Sequence, residues 1–72
     1  MHKEDVEYKL KKELKGSTPL IHFLDNKTGE LTAIGITQNY YFEEDSLIVF
    51  DLVDNSKYSI PLNNIQNIEP TF

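Results

Sequence analysis

Ser46-Leu47-Ile48-Val49-Phe50-Asp51-Leu52-Val53, followed by Asp54-Asn55-Ser56 and then Lys57-Tyr58-Ser59-Ile60-Pro61-Leu62, decides the fold. The first run is rich in branched and aromatic residues and is largely apolar on both faces, the pattern of a central strand. Asp54-Asn55-Ser56 reads as a tight hairpin turn. Lys57–Leu62 then alternates Tyr58, Ile60 and Leu62 on one face. Pro61 cannot donate to a ladder, so this second strand lies at a sheet edge or ends there. On this reading Phe50 belongs to the core.

The same period extends to both sides of that hairpin. Leu20–Asp25 alternates, with Ile21 and Phe23 on one face and Leu20, His22 and Leu24 on the other. Asp25-Asn26-Lys27-Thr28-Gly29 is a turn, opened by Asx residues and closed by a glycine suited to positive φ. Glu30–Thr37 is the next strand, with Ile34 and Ile36 opposed to Leu31 and Ala33. Gly35 inside it marks a bend, a bulge or a close backbone approach. Tyr40-Tyr41-Phe42 either continues that strand or opens a short one of its own, and Glu43-Glu44-Asp45 is a polar break. Asn63-Asn64 breaks the chain after Leu62, as one turn of 3₁₀ helix, and Ile65–Ile68 is a last short strand before Pro70.

Before Gly16 the period is helical. Val6, Leu10 and Leu14 recur every four residues and share one face. Asp5–Lys9 and Glu7–Lys11 have the favourable i,i+4 orientation, and acids at the start and lysines at the end suit the helix dipole. Gly16 fits the left-handed residue that ends a helix, with Pro19 just beyond. A stripe this thin is marginal alone, so the helix must dock on its own barrel or on a neighbour.

Seventy-two residues make a single domain, with a helix over 1–16 and a β-barrel over 19–70. A chain this short is marginal without some supplement to its core. Cysteine is absent, which excludes disulfides and thiolate zinc sites. Residues 1–16 are charged throughout, so they are no signal peptide, and no apolar run is long enough to span a bilayer. A cytoplasmic protein is the expectation, and the acceptor pattern Asn26-Lys27-Thr28 then carries no glycosylation. The fold class expected is mainly β: an N-terminal α-helix and about five short antiparallel strands in a small, partly open barrel.

The order of helix, first strand and bent long strands, then Tyr58-Ser59-Ile60-Pro61-Leu62 and Ile65-Gln66-Asn67-Ile68-Glu69-Pro70, resembles the Sm-like fold. In outline it is similar to the bacterial Sm-like RNA chaperones and to other SH3-like small barrels. The resemblance implies a barrel over most of the chain and closure into rings through strand edges. Of the family's RNA-binding Tyr-Lys-His run this chain matches only the tyrosine, Tyr58, and continues Ser59-Ile60. No RNA-binding residue is therefore carried over.

Charge separates the functional classes. There is no arginine, and five of the seven lysines lie in the first fifteen residues beside four carboxylates. Residues 16–72 hold only Lys27 and Lys57 against eight carboxylates, a balance of −6. Affinity for a nucleic-acid backbone comes mostly from basic side chains, so this body repels a polyanion. Catalysis has no convergent acid, base and nucleophile: His2 is terminal, His22 is an ordinary strand residue, and the three glycines form no phosphate loop. Lys27 occupies a ligand position that a calcium loop at Asp25–Gly29 would need, and Glu43-Glu44-Asp45 reads as a charged loop tip. No catalytic residue, metal or cofactor is expected.

What remains is a non-enzymatic acidic module that binds a protein, preferably a basic one, or itself. Tyr40, Tyr41, Phe42, Tyr58 and Ile60 are its candidate interface residues, since aromatics are enriched at interfaces and an edge strand accepts a partner's strand. The alternative is a single-stranded RNA or DNA binder of the Sm kind that uses the lysine-rich helix for phosphate contacts.

Overall fold

The computed structural model describes residues 1–71, and its fold is mainly β. A helical segment precedes five antiparallel strands: β1 Thr18–Asp25, β2 Glu30–Glu43, β3 Ser46–Asp51, β4 Lys57–Pro61 and β5 Ile65–Thr71. They form one partly open sheet in the order β4-β3-β2-β1-β5, so β4 and β5 are its two edges. A 3₁₀ turn, Leu62–Asn64, joins them.

β2 is the strand that shapes the sheet. Its first half pairs with β1 (Leu24 opposite Leu31, Leu20 opposite Gly35) and its second half with β3 (Tyr40 opposite Val49, Phe42 opposite Leu47). Tyr40-Tyr41-Phe42 thus continues the second strand. The register with β3 slips between Ile36 and Tyr40. An extra stretch on one strand of a pair bends it and increases its twist. The irregularity therefore lies just after Gly35, at residues 37–39. Gly35 itself needs no glycine: a Cβ built there meets nothing closer than 4.0 Å, on Leu52 and Thr18. Its carbonyl accepts the Leu52 N–H at 2.9 Å, at the point where β2 changes partners.

The core lies inside this bend. Ile21 and Phe23 of β1, Ile36 of β2, Leu47 and Val49 of β3, Ile60 of β4, and Ile65 and Ile68 of β5 form one buried cluster. Side chains alternate across a strand, so Leu47 and Val49 facing in turns Phe50 out. Phe50 is half-buried and outside the cluster, which corrects its assignment to the core. Ile48 is buried on that opposite face, between Tyr41 and Ser59 in the pairing. The expected strand to Val53 ends at Asp51, because the turn begins there. The Asp51 carboxylate accepts the Val53 N–H at 2.7 Å, and Val53 is 94 % exposed. In the same turn the Ser56 N–H donates to Asp54, which holds that carboxyl below its ordinary value.

Val6, Leu10 and Leu14 are buried in the same cluster, so the helix docks on its own sheet. It is not a single α-helix. Lys3–Tyr8 is α-helical, and Lys9–Glu13 is a π turn closed by the Leu14 N–H on the Lys9 carbonyl at 3.0 Å. The sequence supplies a reason. A strict four-residue repeat drifts by about 40° per step on a helix of 3.6 residues per turn. A wider turn takes up that drift and keeps Leu10 and Leu14 over the core. Gly16, at φ +85°, then ends the helix as expected. At the other end the Met1 amine donates to the Leu62 and Ile65 carbonyls at 2.7 and 3.2 Å, tying the helix to the 3₁₀ turn.

Leu10→Ala is expected to cost about 2–5 kcal/mol in denaturant unfolding, as much as Leu47→Ala; wild-type stability in that variant would mean the helix is outside the cooperative unit. Gly35→Ala is expected to change stability by less than about 1 kcal/mol, and a larger loss would show that the backbone there does require glycine.

Candidate functional site: the open edges of the sheet

The edge of β4 faces a groove. The Ser56 carbonyl accepts the Asp51 N–H and the Leu62 N–H donates to the Asp45 carbonyl. Residues of that parity, Tyr58 and Ile60 included, therefore turn their backbone groups toward β3. Lys57, Ser59 and Pro61 turn theirs outward. Lys57 and Ser59 offer N–H donors along the free edge, and Pro61 offers none. Across from this edge stand the end of β1 and the β1–β2 turn, enclosing a groove of about 460 Å³ between residues 23–27 and 57–61. Phe23, Tyr58 and Ile60 give it apolar lining, and Lys27 and Lys57 stand on its two sides. The Asn64 side-chain amide braces the β1 side of the groove, donating to the Leu24 carbonyl at 3.0 Å and to Asn26 Oδ1 at 2.9 Å.

The β5 edge differs. It carries Pro70, again without a donor, and its Glu69 Oε1 lies 2.9 Å from His22 Nε2 on β1. Both partners of that contact are partly exposed. It ties β5 to β1, and a single imidazole–carboxylate contact without a nucleophile is no catalytic constellation. Among the described residues no group of three His, Asp or Glu side chains is placed to hold a metal ion, and no helix is long and apolar enough to cross a membrane.

The five candidate interface residues fall in different places. Tyr40 and Phe42 turn inward against the core and meet edge to face, with ring centroids 6.2 Å apart. Tyr41 turns outward and is 43 % exposed. Tyr58 is half-buried and lines the groove, and Ile60 is only 1 % exposed. The aromatic run is thus no flat stacking platform, because strand alternation splits it between two faces. Sequence reasoning missed Lys27 and Lys57 as neighbours across a groove. It also missed the directly paired Leu24 and Leu31, which leave an apolar patch on the outer face, Leu31 being 71 % exposed.

The lysine-rich helix is not a free basic surface. Lys11 pairs with Glu7 at 3.2 Å, and the Lys3 ammonium lies over the Phe42 ring, 5.1 Å from its centre. Glu4 and Glu7 share the exposed face with Lys11 and Lys12.

Set against known protein families, curated proteins and solved structures, this chain has no match.

Phe42→Ala is expected to cost about 3 kcal/mol or more, while Tyr41→Ala costs about 1 kcal/mol, the size of a cross-strand pair. Equal losses in the two, measured by urea unfolding, would mean that the run is not split between core and surface.

Proposed function

We propose that this chain is a non-enzymatic interaction module, a small acidic barrel of the Sm-like kind that binds polypeptides through its open sheet edges. The observation that carries this reading is the pair of edge strands, β4 and β5, each with one side unpaired, in a chain whose residues 16–72 have a balance of −6. A free edge is a template for another strand, and main-chain hydrogen bonds supply the affinity. The acidic body disfavours nucleic acid as the partner and favours a basic protein, while a further copy of the chain would pair through the edge backbone against like charge. The Sm-like assignment is supported by the strand order, the bent β2 and the 3₁₀ turn between β4 and β5. The cytoplasm is the compartment this reading assumes.

Light scattering from micromolar to millimolar concentration, with titration of labelled oligonucleotides at low salt, tests it. The expected outcome is a mass above the monomer or a specific protein complex, with no oligonucleotide binding. A strict monomer that captures no specific protein from its native host, yet binds oligonucleotides with a steep salt dependence, would replace this reading with the helix-based nucleic-acid one.

A further inference from the structure

The lysines of the barrel are not scattered. Residues 16–72 contain two, Lys27 on the β1–β2 turn and Lys57 at the start of β4, thirty positions apart in sequence. Both stand on the same groove. Neither has an ion-pair partner within the described residues. One carboxylate is present there, Asp25, and its Oδ1 already accepts the Lys27 N–H at 2.8 Å. Asn26 adds a side-chain amide at the same rim, and its Oδ1 is engaged by Asn64, which leaves the amide N–H groups directed elsewhere. An otherwise acidic barrel therefore concentrates its cations beside an edge strand whose outward N–H groups border a groove of mixed lining, apolar at Phe23, Tyr58 and Ile60.

We infer that this groove binds an extended acidic peptide segment of another protein, which adds as a strand to the β4 edge. The inference rests on the polypeptide-binding reading above, but at this edge it replaces the basic partner favoured by the net charge with an acidic one. Lys57 and Ser59 supply the backbone donors and acceptors of the new ladder. Alternate side chains of the incoming strand enter the groove against Phe23, Tyr58 and Ile60, and the others point away. Pro61 provides no donor, so the ladder stops there and stays short. Lys27 and Lys57 then meet carboxylates of the peptide. Their contribution is to select acidic over basic segments, since rim charges set specificity and encounter rate more than affinity.

This inference runs against the net charge of −5, and that makes it testable. The whole-molecule field favours a basic peptide, and the groove favours an acidic one. The probes are a fluorescein-labelled hexapeptide alternating valine and glutamate and its valine–lysine counterpart, titrated with the full chain at low salt and read by anisotropy. The acidic probe is expected to bind and the basic probe to bind at least about tenfold more weakly. The double variant Lys27→Glu/Lys57→Glu is expected to lose about tenfold in affinity for the acidic probe, the effect of reversing two partly exposed charge pairs. Lys12→Glu/Lys15→Glu, on the helical segment and the turn after it, is expected to leave it unchanged. All four positions are exposed, and circular dichroism checks that each variant is folded.

Tighter binding of the basic probe, or equal affinity in the Lys27→Glu/Lys57→Glu variant, would overturn the inference. So would displacement of the acidic probe by an oligothymidylate, which would assign the groove to polyanions in general. If the chain self-associates and excludes the acidic probe, a second copy fills the β4 edge. That result refutes the acidic ligand and leaves the polypeptide-binding reading standing.

Discussion

The fourteen residues of β2 hold the two halves of the sheet together. Up to Gly35 they are paired with β1, and beyond residue 39 with β3. A flat strand of this length would leave a two-sided sheet with too little apolar area on either face to stabilise 72 residues. The bend instead curls one sheet around one core, and Val6, Leu10 and Leu14 of the helix complete that core. A curled sheet that does not close must end in two edges, and here they are β4 and β5, joined by the 3₁₀ turn. The two open edges are therefore a consequence of how the core is enclosed.

Edges of this kind invite unwanted pairing, and natural sheets blunt them. Both edge strands here carry a proline, Pro61 in β4 and Pro70 in β5. β4 has only five residues, and Lys57 stands at its start. These features do not seal the edge: Lys57 and Ser59 still present outward N–H groups. They keep the stretch open to pairing short. An edge blunted in this way suits selective binding better than open-ended aggregation.

Local signals made most of the fold legible. Branched residues marked Ser46–Asp51, the Asx and glycine residues of 25–29 marked a turn, and Gly16 marked the helix end. Alternation placed Ile21, Phe23 and Ile60 on faces that proved to be core. The errors came where tertiary pairing outweighed local pattern. Leu52 and Val53 look like strand, but Asp51 starts the turn through its own carboxylate. Gly35 looked like the bend, whereas the register slips a few residues later, where no glycine occurs. The π turn was hidden because a four-residue repeat reads as α-helical until the drift it implies is counted. The groove was illegible for a simpler reason. Lys27 and Lys57 become neighbours only when β1 and β4 converge from opposite halves of the sheet, and no local pattern encodes that meeting.

The central claim is that the outward backbone of β4 is where this molecule meets other polypeptides. Amide hydrogen exchange followed residue by residue, in the free chain at low concentration and again in any complex it forms, tests this most directly. The amides of Tyr58 and Ile60, turned toward β3, should be protected in both states. Those of Lys57 and Ser59 should exchange freely when the chain is alone and become protected on association. Lys57 and Ser59 amides that stay unprotected in the complex, with new protection confined to the helix or to β5, would contradict the account.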